Sequence, residues 1–93
     1  MIISFKSRAL KRYWAKGKED KLPPQDLDKI DLILDTLDRA TAPEDMDIAG
    51  FNFHPLKGNL KGRYSCKVNQ NWRITFAFDE DNDAVDIDFE DYH

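Results

Sequence analysis

The last three residues of the chain, Asp91-Tyr92-His93, place a carboxylate, a phenol and an imidazole side by side. They follow directly on an alternating run, Ala84 to Glu90, whose period of two is typical of a β-strand. An imidazole titrates near neutral pH, so it can give or take a proton there. Because a terminus is usually frayed and chemically bland, these groups indicate a functional site at the tip of a strand. The alternative is an acidic solubilising tail.

A second group of reactive side chains lies in the middle of the chain. His54 and Lys57 are three residues apart across a turn that Pro55 stiffens. Arg73 interrupts an apolar run, and its planar guanidinium suits a phosphate because it forms paired, charge-assisted hydrogen bonds. The ordinary alternatives are a solvated surface turn for the first two residues and a cross-strand pair with an acid for Arg73.

These side chains could cleave RNA without a metal. A base would remove the proton of the 2'-hydroxyl, cations would hold the charge that builds on the phosphate, and an acid would protonate the leaving oxygen. Stacking of an unpaired base on a tyrosine is worth about 1–3 kcal/mol. The set is sufficient but not unique, because many phosphate sites use such groups. The candidate residues are His54, Lys57, Arg73, Asp91, Tyr92 and His93.

A metal site could instead use both histidines with Asp91. The chain lacks a tight ligand spacing such as His-Glu-x-x-His, so the sequence predicts neither a metal nor another cofactor. The lone cysteine, Cys66, excludes an internal disulfide and a cysteine metal cluster, which fits a reducing cytosol. We find neither an apolar run long enough for a membrane span nor a secretory signal pattern, and we therefore expect a cytoplasmic protein that does not bind membranes.

The elements that position these residues follow from the periodicity. Ile2 to Phe5 is a short apolar run that predicts a first strand, and Ser7 could cap a helix after it. Pro23-Pro24 begins a second helix, which should stop before Pro43. From Phe51 onward the period is two, which predicts four strands. The chain is therefore predicted to be one α+β domain, residues 1–93, in the order β-α-α-β-β-β-β.

Each late strand has one apolar and one polar face, so the helices should cover the first and leave the second open to water. Strict alternation places Asp91 on the apolar side, and we expect the chain to leave regular strand geometry there. The residues predicted on the open face are His54, Arg63, Lys67, Arg73, Asp86, Asp88, Glu90 and Tyr92.

The charges of the chain are segregated. The net charge is -4, which argues against a protein that binds free nucleic acid mainly through salt-sensitive contacts to phosphates. Residues 1–18 nevertheless carry six Lys or Arg and residues 48–78 carry five, with no acid in either segment. Because charge fields are screened within about 10 Å at ordinary salt, a local basic face remains compatible with the acidic total. Pairing between neighbouring elements is the ordinary alternative.

Three motifs in this order resemble the HigB toxins of the RelE/ParE superfamily, also called plasmid maintenance system killer proteins. They are Phe53 to Gly58 (FHPLKG), Asn71 to Phe76 (NWRITF) and Glu90 to His93 (EDYH). The resemblance covers essentially the whole chain. It implies a RelE-like fold, with two N-terminal helices packed on one face of a mostly antiparallel sheet. It further implies an endoribonuclease that cuts mRNA in the ribosomal A site and so stops translation.

The resemblance also implies partners and site residues. The partners would be the ribosome, mRNA and a HigA-like helix-turn-helix antitoxin, with operator DNA contacted only through that antitoxin. Asp91 or His93 would act as base, and His54 as acid or charge stabiliser. The segment Arg63 to Lys67 is more basic than is usual in the family, which would alter its contacts to ribosomal RNA. The implied catalytic residues are His54, Lys57, Asp91, Tyr92 and His93, with Arg73 in the positively charged site. Arg63 and Lys67, from the predicted open face, complete the predicted phosphate- and RNA-binding set.

Two other functions remain open at this point. The chain could be a toxin of the same fold that does not cleave RNA and instead binds a protein such as a topoisomerase, as ParE-type relatives do. It could also be a module whose role is to bind the antitoxin and regulate the operon.

Overall fold

The computed structural model describes residues 1–91. Two helices precede a four-stranded antiparallel sheet whose spatial order follows the chain, which confirms the predicted α+β class. Short 3-10 turns at Pro24–Asp26, Pro43–Met46 and Gly58–Leu60 connect these elements. The elements are α1 (Arg8–Lys16), α2 (Leu27–Arg39), β1 (His54–Pro55), β2 (Arg63–Lys67), β3 (Trp72–Phe78) and β4 (Ala84–Asp91). Within these residues, no helix combines the length and apolarity needed to cross a bilayer.

The N-terminal run, which the sequence predicts to be a strand, forms only two isolated parallel bridges to β4, Ile2 to Ala84 and Phe5 to Ile87. A bulge in β4 interrupts the ladder between them. Asp86 has a φ of 54° there, and its N–H donates to the Ser4 hydroxyl rather than to a backbone carbonyl. The sheet is therefore mostly antiparallel with a broken parallel edge.

The strand predicted from Phe51 is also shorter than its alternating pattern indicates. Only His54 and Pro55 form β1, which pairs with β2. Asn52 has a φ of 48°, which is incompatible with an extended strand. The Phe51 carbonyl nevertheless accepts a hydrogen bond from the Lys67 N–H at 2.7 Å. This short strand brings His54 beside the centre of β2.

Both helices lie on the same face of the sheet, and local chemistry sets the two ends of α1. The Ser7 hydroxyl accepts the Leu10 N–H and caps α1, as the sequence predicts, and Gly17 ends that helix with a φ of 68° that glycine adopts without strain. Their apolar sides pack on one face of the sheet in a single core. Its fully buried members include Leu10, Ile30, Ile33, Leu34, Leu37, Cys66, Ile74, Phe76 and Ile87. The opposite face of the sheet is therefore the one on which a site can be built.

Aromatic rings stiffen the sheet near the candidate residues. Phe76 is fully buried, with its ring 6.1 Å from that of Tyr64 and 5.8 Å from that of Phe78. At the other end of β3, Trp72 stacks on Phe89 with ring centroids 4.7 Å apart. Such pairs contribute about 0.5–1.5 kcal/mol beyond the area they bury. They hold β2, β3 and β4 in register beneath the polar face.

Candidate active site

The strand register aligns polar residues in two rows across the sheet. In the first row His54 lies opposite Ser65, Ser65 opposite Thr75, and Thr75 opposite Asp88. Directly opposed residues in a sheet project from the same face. The neighbouring row contains Lys67, Arg73 and Glu90. The polar face predicted from the alternation therefore exists, and it brings His54, Lys67 and Arg73 together with two acids of β4.

His54 is half-buried at the start of this row, and both of its ring nitrogens have partners. Nδ1 lies 3.0 Å from the Asn52 carbonyl oxygen, and Nε2 lies 3.2 Å from the Ser65 hydroxyl. A carbonyl oxygen can only accept, so Nδ1 carries a hydrogen. The ring is thus held from two sides before any substrate binds.

A pocket of about 440 Å³ opens beside the turn that joins β1 to β2. Lys57, Lys61 and Arg63 are the charged side chains that line it, and among the described residues no acid does so. Leu56 and Tyr64 contribute apolar surface, and the Leu56 N–H donates to the Arg63 carbonyl at 2.8 Å across the turn. Three cations around a partly apolar pocket favour an anionic ligand with a planar apolar part.

The two arginines of the polar face make contacts within the sheet. One terminal nitrogen of Arg63 donates to the Thr75 hydroxyl at 3.0 Å and to the Asp86 carbonyl at 2.8 Å, so this side chain holds the bulge of β4. Arg73 forms an ion pair with Glu90 at 3.4 Å, and its side chain is 18% exposed. The cross-strand pair considered for Arg73 is therefore present. The RNA-binding roles of Arg63, Lys67 and Arg73 remain predictions.

The carboxyl end of β4 differs from expectation at Asp91. The predicted departure from strand geometry is not present there: Asp91 is exposed, belongs to β4 and lies opposite Trp72. The stacking of Trp72 on Phe89 keeps this end of β4 in the ladder. Asp91 thus projects from the Trp72 side, whereas Glu90 projects from the side of Arg73. Tyr92 and His93 lie outside the described residues, so their assignments, and that of Asp91, stay predictions.

Ser65 and Thr75 are the polar residues that the sequence analysis missed. Both are fully buried, although they occupy the face predicted to be open. Their alternation with apolar neighbours suggested only water-facing positions. Their burial could have been predicted from their small size, because longer neighbouring side chains readily cover a short hydroxyl side chain in the middle of a sheet. Their hydroxyls contact His54 and Arg63 respectively.

One group of carboxylates has metal-like spacing. Oxygens of Asp79, Asp81 and Asp83 lie within 4.8 Å of one another in the turn between β3 and β4. The Asp79 carboxylate already accepts the N–H groups of Asp81 and Asp83, and Asp83 pairs with the amino terminus at 3.2 Å. These contacts explain the group as a turn that holds the first residue of the chain.

Cys66 is fully buried in β2, and this burial raises the pKa of its thiol to about 12, although the Lys29 charge acts in the opposite direction. Because the thiolate is the nucleophile, we expect iodoacetamide at pH 8 to alkylate the native protein far more slowly than the protein in urea, as measured by mass spectrometry. Equal rates in the two states would contradict this burial.

The same shift predicts a pH dependence of stability. The pKa of the Cys66 thiol is higher in the folded state than its ordinary value of 9.0. Below about pH 9 the thiol is protonated in both the folded and the unfolded state. As the pH rises from about 9 toward 12, the thiol ionises in the unfolded state first, so the free energy of unfolding decreases. Cys66→Ala should flatten that part of the curve of unfolding free energy against pH, with the parent chain as the control.

Comparison with known proteins places this geometry in a family. The family described as the RelE-like toxin of type II toxin-antitoxin system HigB matches residues 3–93. The chain is 42% identical over 93 residues to Endoribonuclease HigB of Proteus vulgaris, with all of both chains covered. It is 35% identical over 80 residues to Toxin HigB-1 of Vibrio cholerae serotype O1, covering 84% of each.

Solved structures give the same assignment of fold. The YoeB dimer from Staphylococcus aureus superposes with a TM-score of 0.63 at 29% identity and covers 100% of this chain and 97% of that one. The Staphylococcus aureus YoeB-YefM complex gives a TM-score of 0.58 at 24% identity, with 100% and 98% covered. A YafQ mutant from E. coli gives 0.57 at 19% identity, with 94% and 91% covered. The chain belongs to the HigB-like family of RelE-like toxins of type II toxin-antitoxin systems.

Proposed function

We propose that this protein is the toxin of a type II toxin-antitoxin system and an endoribonuclease that cleaves mRNA in the ribosomal A site. The observation that carries the proposal is that His54, with both ring nitrogens engaged, directly precedes a turn whose pocket is lined by Lys57, Lys61 and Arg63. A proton-transfer group beside clustered cations is what phosphodiester cleavage requires. The Proteus vulgaris relative, 42% identical over its full length, is named an endoribonuclease.

The proposed chemistry needs no metal. Asp91 or His93 takes the proton of the 2'-hydroxyl, which attacks the adjacent phosphorus. The bond from phosphorus to the 5'-oxygen breaks, and an acid protonates that leaving oxygen. Lys57 and Arg73 stabilise the charge that develops on the phosphate oxygens, and His54 acts as acid or as a further charge stabiliser. Tyr92 stacks on an unpaired base. Arg63 and Lys67 contact the RNA backbone beside this centre.

The family and the charge of the chain support the proposed partners. A structure of the same fold, the YoeB-YefM complex of Staphylococcus aureus, is described as a heterotetrameric toxin-antitoxin complex. For this chain we propose a HigA-like helix-turn-helix antitoxin, through which alone it contacts operator DNA. A net charge of -4 weakens binding to free RNA, so presentation of mRNA by the ribosome in the cytoplasm reconciles the charge with the activity.

Mapping of mRNA 5' ends after induced expression without the antitoxin tests this function. We expect new ends at defined codon positions within translated regions, and their loss on messages whose start codon has been removed. Growth arrest with intact mRNA would contradict the nuclease activity and favour a protein target. Harmless expression would favour a purely regulatory module. Cuts that persist without translation would retain the nuclease but contradict ribosome dependence.

A further inference from the structure

The hydroxyl of Ser65 occupies an unusual place for a side chain on the polar face of a sheet. It is fully buried and lies 3.2 Å from His54 Nε2. On the other side of the ring, the Asn52 carbonyl oxygen lies 3.0 Å from Nδ1. Since the carbonyl can only accept, Nδ1 is the protonated nitrogen of the neutral ring and Nε2 bears the lone pair. The Ser65 hydroxyl must then donate to Nε2.

We infer that Ser65 is a positioning residue: together with the Asn52 carbonyl it fixes His54 in the Nδ1–H tautomer and in one ring orientation. This leaves Nε2 as the only nitrogen through which a proton can enter or leave the ring. The inference rests on the proposed function, because it matters for activity only if His54 takes part in RNA cleavage. Within that function, it assigns the reacting atom of His54 and adds a residue outside the set recognised from sequence.

The surroundings of Ser65 support a role beyond the fold. Its backbone belongs to the β2 ladder, opposite His54 on one side and Thr75 on the other, so the strand does not depend on its hydroxyl. A buried hydroxyl without a partner costs free energy, and His54 Nε2 provides a partner for the Ser65 hydroxyl. Asn52 is held with a φ of 48°, in the region that asparagine tolerates better than most residues. Both sides of the ring are therefore set by the chain before substrate arrives.

Imidazole nitrogen NMR on protein labelled with ¹⁵N-histidine tests the tautomer directly. The chain has two histidines, so a His93→Gln variant assigns the signals. We expect His54 of the parent, in its neutral form, to show a protonated Nδ1 and an unprotonated Nε2. Ser65→Ala should give mixed tautomers, and Ser65→Thr, which keeps the hydroxyl, should restore the parent pattern. An Nε2–H tautomer in the parent, or an unchanged pattern in Ser65→Ala, would overturn the inference.

Cleavage of mRNA on programmed ribosomes provides the second readout. Loss of the hydrogen-bond partner that orients a metal-ligating histidine commonly costs 10- to 100-fold. By analogy, we expect the cleavage rate constant at saturating toxin to fall about tenfold in Ser65→Ala. The concentration of toxin at half-maximal rate should stay the same, and Ser65→Thr should recover most of the rate. Ser65→Cys has nearly the same shape as the parent side chain, but its thiol is a weak donor, so we expect the same loss as in Ser65→Ala. This variant replaces Ser65→Ala in the test if the alanine variant does not fold.

The two proposals fail in different ways. If the parent protein shows the expected tautomer but does not cleave mRNA, the proposed function is wrong. Ser65 would then have no role in catalysis. Parent protein that cleaves mRNA, with Ser65→Ala at the parent rate and an unchanged melting temperature, would overturn the role of Ser65 and leave the nuclease proposal intact.

Discussion

Replacing His54 with alanine is expected to lower the rate constant of mRNA cleavage on programmed ribosomes by about 10²- to 10⁴-fold, the usual contribution of a general acid or base. The physical reason is that the ring directly precedes Pro55 to Lys57, which line the cationic pocket, and that its Nε2 bears the lone pair that faces the Ser65 hydroxyl. His54→Gln keeps a hydrogen-bonding side chain but cannot carry a proton, so its loss should be similar.

The control for this variant is stability, because His54 is half-buried and pairs β1 with β2. Melting temperatures of the parent and both variants should be compared before their rates are. Cleavage within threefold of the parent by a folded His54→Ala protein would remove His54 from the chemistry. It would then be a side chain that only closes the edge of the sheet.

Replacing Phe76 with alanine is expected to reduce the free energy of unfolding by about 3–5 kcal/mol, as for other buried Phe-to-Ala changes. Phe76 is fully buried in β3, and its ring packs against those of Phe53, Tyr64 and Phe78. A domain of this size has only about 5–15 kcal/mol in total. In urea unfolding monitored by tryptophan fluorescence, the variant should therefore have its midpoint at a much lower urea concentration than the parent.

Leu32→Ala is the matched control, because Leu32 is a large apolar residue that is 51% exposed on α2. Its substitution should change the unfolding free energy by no more than about 0.5 kcal/mol. A Phe76→Ala protein as stable as Leu32→Ala would show that the aromatic cluster does not hold the sheet together. Other contacts would then have to hold β2 and β3 in register beneath His54 and Arg73.

The hydrophobic periodicity of the sequence was sufficient to predict the main helices and strands. Apolar residues at helical spacing predicted α1 and α2, with Ser7 as a cap, and alternation predicted β2, β3 and β4. Periodicity succeeds in these segments because each buries one continuous face, which fixes the phase of the pattern. The same alternation placed His54, Lys67 and Arg73 on one face, as the register confirms.

The remaining differences arise from local backbone conformations that periodicity does not encode. Asn52 and Asp86 adopt positive φ values of 48° and 54°, which shorten β1 and interrupt the N-terminal bridges. The burial of Ser65 and Thr75 depends on longer neighbours on adjacent strands and so requires the register. The continuation of β4 through Asp91 depends on a contact between rings, Trp72 on Phe89. Each of these effects is tertiary.

The most direct test of the account is the cleavage rate constant of Lys57→Ala on ribosomes programmed with a defined A-site codon. Lys57 is exposed and lines the pocket at the β1–β2 turn, three residues after His54. Lys21, the control, is an exposed lysine between the two helices. The account predicts that Lys57→Ala loses about 10²–10³ in rate, as when one charge-stabilising group is removed, while Lys21→Ala stays within threefold of the parent. Full activity of a folded Lys57→Ala protein would contradict an active centre at the β1–β2 pocket.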